Sequence, residues 1–378
     1  MEPLFAALDL AEAHRAARGR LLSRPGGRPY ESRDYSGQRV LITGGMGFLG
    51  GHVAARLVEA GADVTIFDID VSSQRPSIIN DAVDGFASQV TLVHGDVRNE
   101  DDVEAALGSP FDFVFHFAAY SVIEHSTDHP VDTISTNVLG VVKLLEAIRQ
   151  SSWRPKSIVF ASTDKVYGQM ETPSYSEDSP LRGIGVYDAA KLAGDVFART
   201  YNEVFGLPSV VLRLCNIFGP HDYNVTFRLI PKALTKIFAK YVPEPPTLYY
   251  DSLNHWRDYL YVDDVVDAFL LVASLPECHG QVYNVAAALH APTPEILRDV
   301  VSCAREIERE TDASRSDQID RNGIQVEMRE GQTGVVAIDR QHLDGSKLCA
   351  LGFQAHTTFR QGLENTVRFY RRHYRSMD

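Results

Sequence analysis

The chain has 378 residues, 44% hydrophobic and 23% charged, which suits a soluble globular protein with one large core and room for a second, smaller unit. Its formal charge of −13 opposes general binding to nucleic acid or to an anionic membrane, so any anionic substrate would need a local cluster of donors. No apolar run approaches the ~20 residues of a membrane helix. The start of the chain, with Glu2, Asp9 and Glu12, lacks the basic-then-apolar order of a secretory signal, and the expectation is a cytoplasmic protein. Cys215, Cys278, Cys303 and Cys349 lie far apart with no Cys-x-x-Cys pair, and read as free thiols in a reducing compartment; no metal site is expected.

Residues 2–18 form an alanine-rich helical pattern with Leu4, Phe5 and Leu8 on one face, and Ser23–Tyr35, rich in Gly, Pro and Arg, reads as a linker. Residues 1–36 are therefore an N-terminal extension. From Gln38 short apolar strands alternate with helices. The expected order is strand Arg39–Thr43, helix Phe48–Ala60, strand Asp63–Asp68, strand Val90–His94, acidic helix Glu100–Leu107 and strand Phe111–Phe117. A long helix Val131–Gln150, strand Ser157–Ser162, helix Tyr187–Phe205 and strand Ser209–Leu214 follow. Nearly continuous apolar strands separated by helices indicate an α/β, doubly wound parallel sheet of Rossmann type, covered on both faces.

After Gly219 the rhythm is irregular. Prolines 243, 245 and 246 interrupt it, Val262–Ala273 reads as a helix, Arg305–Asn322 as a polar surface segment, and Val367–Tyr374 as a closing helix. The simplest division is a cofactor domain over 37–220, with a return at about 262–287, and a smaller C-terminal α/β domain over 221–378 that binds substrate.

Glycines 44, 47 and 50 lie between a strand and a helix, spaced Gly-x-x-Gly-x-x-Gly. Such a turn lets a pyrophosphate approach the backbone and aims the free N–H groups of the next helix at it. Asp68 ends the second strand, where a carboxylate can accept hydrogen bonds from an adenosine ribose; it would repel a 2′-phosphate, which favours NAD over NADP. Asp70 competes for that role, and Asp96 in His94-Gly-Asp-Val sits where an adenine could be met or a helix capped.

Tyr187 and Lys191, four residues apart at a helix start, share one face. A phenol near pKa ~10 is a poor base at neutral pH, and a lysine ammonium beside it makes the phenolate accessible.

With these motifs in order, the chain resembles the extended short-chain dehydrogenase/reductase family, the nucleotide-sugar epimerases and dehydratases, from about Gln38 to Tyr374. The resemblance rests on Thr43-Gly-Gly-Met-Gly-Phe-Leu-Gly50, His116-Phe-Ala-Ala119 and Thr136-Asn-Val138, then Ser162-Thr-Asp-Lys-Val-Tyr-Gly168, Tyr187-x-x-x-Lys191 and Arg213-Leu-Cys-Asn-Ile-Phe-Gly-Pro220. It implies an NAD bed made by Gly44, Gly47, Phe48, Leu49, Asp68, Asp96, Val97, Phe117, Ala118, Ala119 and Asn137, with Tyr187 and Lys191. Asn137 would support the active-site helix and His116 would serve the cofactor pocket. Tyr187 would take a sugar hydroxyl proton, Thr163 would bind the same oxygen, and Lys191 would also hold the nicotinamide ribose.

Asp164 and Lys165 decide between reactions. Simple 4-epimerases usually carry small or apolar residues there, whereas Thr163-Asp164-Lys165 is similar to the 4,6-dehydratases acting on CDP-glucose and UDP-N-acetylglucosamine, and departs from the Thr-Asp-Glu of dTDP-glucose dehydratases. Loss of water across C5–C6 of a 4-keto sugar needs a base and an acid, roles for Lys165 and Asp164. Asn224, Arg228, Leu229, Ile230, Pro231 and Arg257-Asp-Tyr-Leu-Tyr261 resemble the CDP-glucose branch, making Asn216, Arg228 and Arg257 the candidate diphosphate ligands. The expected substrate is a nucleotide-diphosphate sugar. The expected activity is an NAD-dependent 4,6-dehydratase, with C4 or C2 epimerisation as the alternative and a non-catalytic NAD sensor ranked lower. Relatives commonly pair as homodimers, and Asp188, where the family more often has Gly or Ala, is a departure.

Overall fold

A computed structural model describes residues 35–81, 85–169, 171–286, 289–328 and 338–375. The expected helix at 2–18 and the linker lie outside the described residues, except Tyr35. That residue is no linker: it is buried against Phe113, and its hydroxyl donates to the carbonyl of Leu270 (3.0 Å).

Seven strands form the main sheet: β1 (Arg39–Thr43), β2 (Asp63–Asp68), β3 (Thr91–His94), β4 (Phe113–His116), β5 (Ser157–Thr163), β6 (Ser209–Leu214) and β10 (Val282–Val285). Their order is β3-β2-β1-β4-β5-β6-β10, all parallel. Val40, Leu41 and Ile42 of β1 and Val210, Val211 and Leu212 of β6 are fully buried, as continuous apolar runs must be when helices cover both faces. The chain leaves β1 in one direction toward β2 and β3 and later returns on the other side through β4. This switch point opens a crevice at the carboxyl ends of β1 and β4, where Thr43 and His116 are register partners.

The layers are α1 (Phe48–Glu59), α2 (Glu100–Ala106), α3 (Val141–Gln150), α4 (Val186–Phe205) and α6 (Val262–Ala273). Asn99 caps α2 by accepting from the N–H groups of Asp101 and Asp102, whose charges suit the positive helix end. Every residue of α6 except Asp263 is buried, the pattern of a helix enclosed by its neighbours.

The expected single helix Val131–Gln150 is broken into Pro130–Ile134, a π-helical turn Ser135–Gly140, and α3. The wide turn holds Asn137, which is buried.

Beyond Gly219 a second core forms around Phe218, Leu234, Phe238, Leu297, Val300 and Leu363. It is built by α5 (Leu229–Ile237), α7 (Thr293–Arg309), α8 (Ala313–Asn322) and α9 (Phe359–Arg375). Two small sheets complete it: β7 (Asn216–Phe218), β9 (Trp256–Tyr261) and β11 (His290–Pro292) in the order β11-β9-β7, and β8 (Thr247–Tyr249) with β12 (Gln325–Glu327). The reading of Arg305–Asn322 as a surface segment is corrected. It covers the end of α7 and all of α8, with Ile307, Glu308, Arg315 and Ile319 buried. Its polar composition hides this, because the buried Glu308 lies between Arg315 (3.7 Å) and Arg371 (3.3 Å).

No disulfide joins the four cysteines, and Cys349 alone is exposed. Among the described residues no helix is long and apolar enough to cross a membrane.

One buried ionic network joins the layers. Asp195 of α4 receives a forked contact from Arg213 of β6 (2.8 and 3.2 Å), a bond from Ser162 Oγ of β5 (3.2 Å) and one from Arg199 (2.9 Å). Arg213 also donates to Tyr167 Oη (2.8 Å), and Tyr167 donates to Asn284 of β10 (2.7 Å). Removing one member of a buried pair strands the other's charge. Arg213→Met should therefore lower unfolding stability by about 3–5 kcal/mol in urea melts; a loss below about 1 kcal/mol would show that the network does not hold the layers.

Candidate active site

The crevice is a cleft of about 990 Å³ running from the glycine turn to the second core. Gly44, Gly47, Phe48, Leu49 and Gly50 line one end. Gly44 has φ +70°, and a Cβ there would stand 2.5 Å from the backbone nitrogen of Ala118. A Cβ on Gly50 would stand 2.5 Å from the Gly44 carbonyl, so the third glycine is a packing requirement of the turn. Gly47 is the N-cap of α1, which leaves the first N–H groups of that helix at the cleft.

Asp68 ends β2 and is buried. One carboxylate oxygen accepts from the Met46 N–H (3.0 Å) and the other pairs with Arg75 (2.6 Å). Arg75 also lines the cleft and was not anticipated. It lies beyond the glycine turn, seven residues after Asp68, where no motif marks it. Asp96 lines the cleft bonded to Arg98, next to Val97. Phe117, Ala118 and Ala119 form the floor after β4, with the Phe117 N–H on the Thr43 carbonyl (2.9 Å).

Asn137 is not among the cleft-lining side chains. Its amide oxygen accepts from Tyr120 N–H (2.8 Å) and its amide nitrogen donates to Tyr120 O (3.0 Å), clamping the loop that follows Ala119. His116 also stays below the cleft, bonded through Nδ1 to Thr43 Oγ1 (2.7 Å). Burial, aided by the nearby Lys191 charge, pushes its pKa down to about 3 and keeps it neutral.

Tyr187 and Lys191 project from the first turns of α4 into the cleft. Burial raises the Tyr187 phenol, against the opposing field of Arg228 and a hydrogen bond with Thr163. Burial lowers Lys191 to about 8, with Asp195 pulling the other way, and its ammonium donates to the Ala161 carbonyl (2.5 Å). Tyr187, Lys191 and Asp195 are spaced four apart and share a helix face. That run is legible as Tyr-x-x-x-Lys-x-x-x-Asp, but the sequence reading stopped at the lysine.

Thr163 and Lys165 line the cleft, while Asp164 between them is fully buried and does not. Its Oδ1 accepts from Thr163 Oγ1 (3.1 Å) and from Lys165 Nζ (3.0 Å), and its Oδ2 is buried with no hydrogen-bond partner among the described residues. Asp188 also lines the cleft. Burial raises its carboxyl, which bonds back to the Gly185 backbone at the start of α4, as a third-position acid does in a capping box.

On the far side Asn216, Arg228 and Arg257 line the cleft. Asn216 donates to the Asp258 carbonyl (3.1 Å), and Arg228 pairs with Asp222 (2.9 Å) with its guanidinium 5.5 Å from the centre of the Phe48 ring. Arg257 donates to the carbonyls of Trp256 (2.8 Å), Ile338 (2.6 Å) and Asp339 (3.0 Å) and forms no ion pair among the described residues. A cation held by carbonyls alone keeps its charge available to an anion.

Residues 40–286 match the NAD-dependent epimerase/dehydratase family, and the chain belongs to it. The dTDP-glucose 4,6-dehydratase of Xanthomonas campestris is 30% identical, over 87% of this chain and 92% of its own length. The mouse dTDP-D-glucose 4,6-dehydratase is 26% identical over 89% and 90%. Among solved structures, the UDP-glucose 4-epimerase of Thermus thermophilus in complex with NAD superposes with a TM-score of 0.73 at 27% identity, covering 88% of this chain and 99% of that one. A dTDP-glucose 4,6-dehydratase of Streptomyces venezuelae with NAD bound gives 0.72 at 26%, covering 89% and 98%. The cofactor is NAD, and the side-chain-free cradle at Gly44, the open end of α1 and the buried Asp68 carboxylate fit it.

Lys191 also sets a pH dependence. Between its folded value of about 8 and the ordinary 10.5, the unfolded chain holds a proton that the native site has released. Stability of the NAD-free protein from this group therefore rises with pH across that window, by about 3 kcal/mol at most. Urea midpoints from pH 7 to 10.5 should show that rise relative to Lys191→Met; parallel curves would mean that Lys191 titrates as a free lysine.

Proposed function

We propose that the protein is a nucleotide-diphosphate-sugar 4,6-dehydratase. The observation that carries this reading is the Thr163–Asp164–Lys165 cluster at the end of β5, a buried acid in contact with an amine that lines the cleft. A 4-epimerase has no step that needs them. Asn216, Arg228 and Arg257 would take the diphosphate, placing the hexose between Tyr187 and Lys165.

When held by the glycine turn, Asp68 and Lys191, NAD would supply a reversible hydride acceptor for oxidation at C4 and reduction at C6. Tyr187 removes the 4-hydroxyl proton, its phenolate stabilised by the Lys191 ammonium and by Arg228. The new 4-ketone acidifies the C5 proton. Elimination then needs a neutral amine and a neutral acid. Moving one proton across the 3.0 Å contact from Lys165 to Asp164 would supply both. Lys165 takes the C5 proton and later returns it to C5. Asp164, behind Thr163, acts through the threonine hydroxyl, which passes a proton to the departing 6-hydroxyl as water leaves.

The proton count closes in the same cluster. Tyr187 ends with one extra proton and Asp164 lacks one, and Thr163 is hydrogen-bonded to both. A shift through its hydroxyl restores both groups and readies the site for the next turnover.

The protein would work as a homodimer. Val131, Ile134 and Leu139 before α3, with Val196, Phe197, Val204 and Phe205 on α4, leave two helices with exposed apolar side chains. Light scattering should give twice the chain mass, and Val196→Glu with Val204→Glu should shift it to monomer; a native monomer refutes pairing.

Incubation with CDP-, UDP-, GDP- and dTDP-hexoses should yield one product lighter by a single water. An isomer of unchanged mass would establish an epimerase instead. Lys165→Met should cut water loss by about 100-fold or more while leaving NAD binding intact. Undiminished water loss in that variant removes Lys165 from the chemistry.

A further inference from the structure

We propose that Asp258, His290 and His342 form a binding site for one divalent transition-metal ion of the zinc or cobalt class, beside the substrate wall of the cleft. The site is made by strand register. His290 of β11 is the direct partner of Asp258 on β9. On the other edge of β9, Arg340 bridges Trp256 in parallel, and the Gln341 N–H reaches the Trp256 carbonyl. Two residues further on, His342 comes level with Asp258. The three side chains thus form one row across three adjacent chain segments.

Their donor atoms converge. His290 Nδ1 lies 2.8 Å and His342 Nδ1 3.0 Å from the same carboxylate oxygen, Asp258 Oδ1, and the two rings are 4.4 Å apart. All three ligand atoms fall within 4.8 Å of one another. Tetrahedral donors bound at 2.0–2.2 Å to one zinc stand about 3.3–3.6 Å apart, so small rotations would admit an ion. Two imidazoles and one carboxylate, with remaining positions for water, is a donor set that divalent zinc, cobalt and iron accept. The Leu343 N–H holds the other carboxylate oxygen (2.9 Å), the orienting contact expected behind a ligating carboxylate.

Charge points the same way. Asp258 is fully buried, and its ion-pair partners among the described residues are these two histidines, with no lysine or arginine. The histidines offer it hydrogen bonds, and a divalent ion would offer a full compensating charge. Both histidines are partly exposed, which leaves the ion a way in.

The ion's place suggests its purpose. Arg257 precedes one ligand and Gln341 another, and both line the cleft. Arg257 is anchored on the carbonyls of Ile338 and Asp339, in the segment that leads to His342. An ion joining β9, β11 and that segment would brace Arg257 without touching the reacting atoms.

The test uses tag-free full-length protein, stripped with a chelator and dialysed. Titration with Co²⁺ should develop a visible d–d band saturating at one ion per chain, and calorimetry with Zn²⁺ should give one site with Kd below about 10 μM. His290→Gln and His342→Gln should each weaken binding by about tenfold or more. Circular dichroism and NAD binding in these variants report whether the fold is kept, so lost metal binding is not mistaken for unfolding. Absence of a site tighter than about 100 μM, or unchanged affinity in the double variant, would overturn the proposal and leave the row as a hydrogen-bonded bracket. No readout depends on turnover, so the dehydratase reading stands or falls separately.

Discussion

The forked contact between Arg213 and Asp195 is the constraint on which the site depends. Asp195 lies one helical turn beyond Lys191 and two beyond Tyr187, on the same face of α4. Ser162, which donates to Asp195, immediately precedes Thr163, and Tyr167, which receives Arg213, ends the short helix begun by Asp164. One buried ion pair thus fixes the strand end with the Thr-Asp-Lys run, the helix with the Tyr-Lys pair, and the strand between them and β10. Buried charges are costly unless fully partnered, and here the carboxylate meets Arg213, Arg199 and Ser162. That completeness makes the pair a positional lock.

Around this lock the site is poised electrostatically. Burial drives Tyr187 toward the phenol and Lys191 toward the amine, so both resist charging. Arg228, Thr163 and Asp195 pull in the opposite direction. The cationic nicotinamide of oxidised NAD would add to the fields that favour a phenolate, and base strength would then rise when the cofactor is in place.

Much of the architecture was legible because its signals are local. The strands Arg39–Thr43 and Ser209–Leu214 and the helix Val262–Ala273 are short, largely apolar runs, and the structure keeps those limits. Other features depend on distant partners. The π-turn carries Asn137, whose amide pairs with the backbone of Tyr120 on another segment. α8 is polar, and Arg315 can be buried there because it pairs with Glu308 and donates to the Ala239 carbonyl.

The sequence by itself determined the parallel sheet, the glycine cradle and the pairing of Tyr187 with Lys191, since hydrophobic period, turn chemistry and helical spacing act over a few residues. It also placed Thr163, Asp164 and Lys165 side by side. Only the tertiary structure decided that Asp164 turns inward while Lys165 faces the cleft, that Arg75 meets Asp68, and that Asp258 lies level with His290 and His342. Those relations depend on strand register, burial and long-range charge, which exist only once segments far apart in the chain are packed together.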